Sequence, residues 1–329
     1  MPDLVGKETG PLGFGMMGLS TRVPKVPLEQ SIATMKAALD AGCNFWNAGE
    51  FYGPPDYNSM HILAAYFDKH PGDADKIVLS VKGCFDISTF LADATPAGIK
   101  RSLDNCFALL GGRKSIDIFE CARVDPNVPV EESMQFLDEE YVKKGLIKGI
   151  ALSEVSAQSI QRAAKVTKIV AVEVEVSLWA THVLENGVAA TCGELGIPII
   201  AYSPVGSGIL TGQIRSLDDL DPHDGRRFYP KFQHDTFPIN LQLVDALKSL
   251  ANKKQCTPAQ LAIAWVMSLS SRPGMPLFVP IPGATTEARV RENAQLHQLT
   301  AEELNEIGTI LKKFEVVGRR YPESIAIDT

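Results

Sequence analysis

A tyrosine and a lysine raise the question of chemistry in this chain. GCNFWNAGEFYG, residues 42–53, runs from apolar side chains into Asn47, Gly49 and Glu50 and then presents Tyr52; KIVLSVKG, residues 76–83, ends on Lys82 and Gly83. A free phenol ionises near pH ~10. A tyrosine that must give up and regain a proton at neutral pH therefore gains from a neighbouring ammonium, which favours the phenolate. The same residue types also serve as a pocket wall and a solvated rim, so their position in the fold must decide.

Two later stretches have the makings of an anion site. YSPVGSGILTG, 202–212, gathers small residues and backbone N–H groups after an apolar run, and IPGATTEARVRENAQL, 281–296, turns through Gly283 into a helix start carrying Arg289. Helix N-termini and turn N–H groups attract phosphate oxygens, and an arginine adds a charge-assisted contact. Either stretch alone could be a tight turn. Glu173 and Glu175 alternate in VAVEVEVS, which points both to one face of a strand; that suits hydrogen bonding to an amide or orienting neighbours better than the two-sided carboxylate pair of a glycosidase. GPLGFGMMG lacks the GxGxxG spacing of a dinucleotide fold, and the six histidines and six cysteines form no HExxH or CxxC pattern, so no metal site is expected and the cysteines read as reduced core thiols.

The elements that would position these groups repeat along the chain. Apolar runs begin near 12, 43, 76, 115, 146, 168, 196 and 275, each followed by a polar or glycine corner and an amphipathic stretch. Eight such units predict an α/β fold of the (β/α)8 TIM-barrel class, with helices such as TPAGIKRSLDNCFALL, capped by Thr95 and Pro96 and stopped by Gly111, covering its outside. Barrel enzymes place reacting groups at the C-terminal strand ends. That rule selects 47–52, Lys82, 121–125, and Ser153 with Glu154. The chain is expected to form one barrel domain over 1–329. A polar loop at about 212–237 offers Phe228, Tyr229, Phe232 and Phe237 as walls of a mouth or as surface anchors, and a tail at about 315–329 is either an ordered flap or a frayed end.

Composition narrows the partners. Lys and Arg number 32 against 39 Asp and Glu, a net charge of -7 without a dense basic run, which argues against a broad nucleic-acid surface. Neither a signal segment nor a run of eighteen apolar residues is found, so no membrane partner is expected.

In their order, PLGFGMMGLS, GCNFWNAGEFYG, LSVKG, DIFECARVDP, ALSEVS, VEVEVSLW, AYSPVGSGILTG and PIPGATTEARVRENAQL resemble the aldo-keto reductase family over nearly the whole chain. More closely, the sequence resembles the fungal NADPH-dependent pyridoxal reductases within it. The resemblance implies hydride transfer from NADPH to an aromatic aldehyde, pyridoxal before others, in a reversible reaction giving the primary alcohol. It casts Tyr52 as proton donor and Lys82 and Asn47 as its catalytic neighbours. For the cofactor it implies Gly15 and Met16, Ser153 and Glu154 at the carboxamide, Glu173 where many relatives carry Gln, and Tyr202 as an aromatic platform. Ser203, Pro204, Val205, Gly206, Ser207, Gly208 and Leu210 would follow the pyrophosphate, and Gly283, Arg289, Glu292 and Asn293 the adenosine and its 2′-phosphate. Arg289 is the main reason to expect NADP over NAD. A cytoplasmic address, with the nucleus also open, belongs to the same resemblance.

Two departures stand out. The family normally carries Asp at position 47 and commonly His at position 122; this chain has Asn47 and Ala122. An amide at 47 leaves Lys82 without a compensating charge, which is expected to depress the Tyr52 pKa further or to encourage Lys82 to lose its proton, unless Glu50 turns inward to restore that charge. Losing one oriented donor costs about 3 to 4 kcal/mol in a demanding site. Pyridoxal could offset that through its own ring hydroxyl, ortho to the aldehyde. Arg123 could be a replacement carbonyl donor, a contact for a phosphorylated substrate, or merely the partner of Asp125. The competing readings are a broad-specificity aldehyde and ketone reductase and a non-catalytic NADPH-binding regulatory or scaffold subunit.

Overall fold

The computed structural model describes residues 3–323, 325 and 327. Eight parallel strands lie side by side in chain order: β1 Phe14–Gly15, β2 Phe45–Gly49, β3 Val78–Gly83, β4 Ile118–Cys121, β5 Gly149–Ser153, β6 Ile169–Glu175, β7 Ile199–Tyr202 and β8 Phe278–Pro280. The first strand meets the last. Gly13 N donates to Pro280 O at 3.0 Å, Gly15 N donates to Pro282 O at 3.4 Å, and Gly15 bridges Gly283, closing the barrel. The seam needs glycine because a Cβ on Gly13 would lie 2.7 Å from Ile281 Cγ2, and one on Gly15 would lie 2.8 Å from Ile281 O.

The alternation along GCNFWNAG explains the second strand. Phe45 points into the barrel floor with Val78, Ile118, Ala151, Ala171, Ile200 and Val279, and Leu4 of an N-terminal hairpin (Asp3–Leu4 with Lys7–Glu8) plugs that floor from below. Trp46 points outward to the helices, meeting Tyr66 edge-on with ring centroids 5.0 Å apart, and its Nε1 donates to Cys43 O at 2.8 Å. By the same period of two, Asn47 returns to the interior one layer above Phe45.

The helices α1 Leu28–Asp40, α2 Ser59–Lys69, α3 Pro96–Leu110, α4 Val130–Leu137, α5 Ala157–Ala164 and α6 Val188–Leu195 follow the first strands, each after the strand it covers. Thr95 caps α3 by accepting from Gly98 N at 3.0 Å, and Gly111 ends it at φ 56°. Between β7 and β8 come short turns over 206–232, then α7 Phe237–Lys254 and α8 Pro258–Ser268; α9 Glu287–Ala294 and α10 Ala301–Lys313 follow β8. Phe232 and Phe237 stack at 5.5 Å in the buried core, whereas Phe228 is 73% exposed. Of the four aromatic residues in that loop, only Tyr229 reaches the mouth; Phe232 and Phe237 are anchors.

The tail turns back over the barrel. Asn240 of α7 clasps Val317, accepting from its N–H at 2.7 Å and donating to its carbonyl at 2.9 Å. The segment through Glu323 is thereby a flap. Residues 324, 326, 328 and 329 of the anticipated tail lie outside the described residues.

Candidate active site

The strand-end residues converge on two charged networks, one inside the barrel and one at its mouth. Tyr52 stands between them. Its ring folds back over Gly49, where a Cβ would come within 2.9 Å of the phenol carbons, and Phe51 packs against it at 5.0 Å. Ser20 Oγ and Ser59 N donate to the Tyr52 carbonyl at 2.6 and 3.0 Å, fixing the backbone from which the side chain projects.

In the inner network Lys82 is 4% exposed. Its Nζ pairs with Glu173 Oε1, lies 3.5 Å from Glu120 Oε1 and donates to Asn47 Oδ1 at 3.2 Å. The Asn47 amide in turn donates to Glu173 Oε2 at 2.6 Å and to Glu120 Oε1 at 3.3 Å. The ammonium lies 5.8 Å from the centre of the Tyr52 ring.

These contacts reverse one expectation. Lys82 is not left under-neutralised by Asn47, because two carboxyl groups from β4 and β6 face it. Burial pulls the lysine pKa down, but Glu120 and Glu173 more than offset that and hold it above the ordinary range. Glu120 is pushed well above the usual carboxylate range, first by burial and then by the charge on Glu173. Tyr52 also lies above its ordinary value: burial raises it, Lys82 lowers it, and Glu173 raises it again. The ammonium does favour the phenolate, but burial wins.

Glu50 does not turn inward. Its carboxylate accepts from Ser102 Oγ and, at 2.7 Å, from Asn105 Nδ2, both on α3. Glu120 is one residue the strand-end rule does not select, and its signal is an acid following the apolar pair Ile118 and Phe119 within β4.

At the mouth, Glu154 is fully buried at φ 53° and accepts from Arg320 NH2 at 2.7 Å and NH1 at 3.2 Å. Arg320 NH1 also reaches Glu175 Oε2 at 3.2 Å. Tyr202 donates to Glu154 Oε1 at 2.9 Å, and its oxygen lies 2.9 Å from that of Tyr321, whose ring meets Tyr229 at 5.2 Å. Glu175 and Glu173 share a strand face, yet they serve different networks, one paired with the tail and one with Lys82. Nothing local in RRYPES indicates where Arg320 and Tyr321 go.

Arg123 follows Ala122, itself buried with its N–H on Gly83 O at 3.0 Å. The guanidinium lies between rings, 6.0 Å from the centre of Phe85 and 5.8 Å from that of Tyr321. It donates to Ala122 O at 2.5 Å, and its buried Nε has no hydrogen-bond partner among the described residues. Asp125 is not its partner: that carboxylate accepts from Ala94 N at 3.1 Å and Asn127 N at 2.9 Å.

Other buried polar atoms also lack hydrogen-bond partners among the described residues, among them Glu120 Oε2 in the inner network, Ser153 Oγ at the end of β5 and Asn293 Oδ1 on α9. The turn after β7 holds Ser203 at φ 49° and Ser207 at φ 55° and buries Pro204, while Val205 is half-buried. Gly206, Gly208 and Leu210 spend their N–H groups inside this turn, on Ser203 O at 2.8 Å and Val205 O at 3.1 and 3.2 Å. Arg226, from the polar loop, donates to Ser207 O at 2.8 Å while its guanidinium is paired with Asp224 at 2.5 and 2.9 Å. Arg289 is tied to Glu292 at 2.6 Å and Gln213 at 3.2 Å. Gly15 and Gly283 form the seam, and Met16 beside it is fully buried with its N–H on Asn47 O at 2.9 Å. Among the described residues no cluster of His, Cys, Asp and Glu could hold a metal ion, and no helix is long and apolar enough to cross a membrane.

Residues 11–312 match the Aldo/keto reductase family. The chain belongs to that family. It is 39% identical to "Probable pyridoxal reductase 2" of Schizosaccharomyces pombe, over 99% of this chain and 98% of that one. It is 32% identical to the NADP(+) aldo-keto reductase yakc of the same yeast, over 97% and 93%. Among solved structures, the glycerol dehydrogenase of Gluconobacter oxydans superimposes with a TM-score of 0.81 over 96% of both chains at 20% identity, a likeness of fold. This aldo/keto reductase is therefore an oxidoreductase built on the (β/α)8 barrel.

Proposed function

We propose that the protein reduces an aromatic aldehyde to its primary alcohol with NADPH, pyridoxal to pyridoxine being the preferred case, and that it catalyses the reverse reaction when reactant ratios favour it. The observation that carries this reading is the half-buried Tyr52 at a strand-end mouth, next to a buried and fully compensated Lys82. The pyridoxal reductase named among the relatives supports the substrate, and the NADP(+) aldo-keto reductase supports the cofactor.

The orphaned Ser153 Oγ and Asn293 Oδ1 suit a ligand with polar groups at both ends, as a dinucleotide has. Ser153 would hold the carboxamide and Tyr202 would flank the nicotinamide ring. The 203–210 turn with Arg226 would follow the pyrophosphate, and Arg289 and Asn293 the adenosine end. When bound, NADPH supplies hydride. Tyr52 supplies the proton to the carbonyl oxygen, and its raised pKa keeps it protonated through neutral pH. Arg123, free of a carboxylate partner among the described residues, replaces the donor that Ala122 cannot provide, and the ring hydroxyl of pyridoxal assists from the substrate side. Phe51, Phe85, Tyr229 and Tyr321 give the mouth an aromatic rim suited to a flat ring. The whole chain acts as one barrel unit in the cytoplasm.

The test is NADPH oxidation with pyridoxal, pyridoxal 5′-phosphate and benzaldehyde as rivals. Tyr52→Phe should lower the rate with pyridoxal by about 10²-fold or more. An unchanged rate in that variant would reject the proton donor, and equal rates for pyridoxal and benzaldehyde would favour the broad-specificity reading.

A further inference from the structure

Asn47, Lys82 and Glu173 come from β2, β3 and β6, and all three are nearly solvent-free. Their hydrogen bonds leave little freedom in residue type. An ammonium cannot accept, so the Asn47 oxygen must face Lys82 and its nitrogen must face the carboxyl groups. That nitrogen lies 2.6 Å from Glu173 Oε2. A carboxylate at position 47 could still accept from Lys82, but it would meet Glu173 as a second anion at hydrogen-bond distance, both of them buried away from the screening of bulk solvent. The amide at 47 and the acid at 173 therefore require each other.

We propose that Glu173 carries the counter-charge of Lys82, and that residue 47 is an amide because this charge has been moved across the barrel to β6. Glu173 is then a positioning residue for the Lys82–Tyr52 pair and not primarily a cofactor contact. The inference rests on the reductase reading above and explains two differences from many relatives, Asn at 47 and Glu at 173, as one exchange. The titratable groups facing Glu173 are Lys82, Glu120 and Tyr52, with Asn47 bridging. The Glu120 carboxyl, held above the usual range by burial and then by the charge on Glu173, loses the second of those causes when Glu173 is removed and still faces Lys82 at 3.5 Å, which limits but does not abolish the effect.

The sign follows from the charges. The Glu173 carboxylate opposes ionisation of Tyr52. Reduction needs the protonated phenol, so removing that carboxylate lets the rate fall at lower pH. The experiment uses the full chain as Glu173→Gln, Asn47→Asp and the double variant, with kcat for pyridoxal followed against pH at saturating NADPH. NADPH affinity by fluorescence and the melting temperature are measured alongside. Glu173→Gln should move the alkaline limb down by about one pH unit. Asn47→Asp alone should lower the melting temperature by bringing two anions together. The double variant should return the limb to the parent position and regain about tenfold or more over the worse single variant. A double variant no better than Glu173→Gln would overturn the proposal. So would a Glu173→Gln enzyme with weakened NADPH binding and an unmoved limb, which would make Glu173 a cofactor contact. Tyr52→Phe judges the reductase reading separately, since its outcome does not depend on where the counter-charge lies.

Discussion

Arg123 is the clearest single-residue consequence of Ala122. Ala122 carries only a methyl group just past β4, and the neighbouring guanidinium of Arg123 has a buried Nε without a hydrogen-bond partner among the described residues. If Arg123 donates to the developing oxyanion, Arg123→Leu should lower kcat for pyridoxal by about 10²-fold with little change in KM, and Arg123→Lys should recover part of it. Steady-state kinetics with pyridoxal and its 5′-phosphate check this: a rise in KM confined to the phosphate ester would make Arg123 a phosphate contact instead. The same residue shows what sequence could and could not say. Its place after the fourth strand was legible from the strand-end rule. Whether Asp125 neutralised it was not, because that carboxylate is spent on two backbone N–H groups, one of them from Ala94 before α3.

The tail is an element whose fate depends on contacts far along the chain. Arg320 is held by Glu154, just past β5, and Glu175, at the end of β6, and Val317 by Asn240 of α7. Breaking one partner of a buried ion pair leaves uncompensated charge, which costs about 3 to 5 kcal/mol. Arg320→Leu should therefore free the flap: hydrogen exchange of residues 316–323 should rise and a protease should nick there first. If exchange in that segment stays at the parent level, the ion pairs are not what holds it. The Tyr321 and Tyr229 rings would part with the flap, so the same variant should also weaken discrimination for aromatic aldehydes.

For the molecule as a whole, His182 sets a stability window. Burial, together with the charge of Arg320 and Lys231 against that of Glu154, lowers its pKa to about 4. The unfolded chain binds this proton below about pH 6.5 and the native state does not, so stability falls as pH drops from there to about 4, by up to about 3 kcal/mol. His182→Gln should flatten that slope, which urea midpoints at pH 7 and pH 5 would show; a parent-like slope in the variant would place the acid sensitivity elsewhere. Glu154 works in a lower window. Despite burial, Arg320 holds it below the usual carboxylate range, so its contribution persists through mild acid and is lost only as pH falls through that depressed value.

The amino-acid sequence by itself determined the eight strands, the capped helices between them and the side each residue faces, since period-two alternation and turn chemistry are local. It thereby placed Asn47, Lys82, Ser153 and Glu173 on inward faces or strand ends. Only the tertiary structure decided which of them meet. Asn47 and Glu173 are 126 residues apart and touch because the strands close into a barrel, bringing layers from β2 and β6 to one level. Charge compensation inside a barrel is a property of that layer, and no window along the chain contains it.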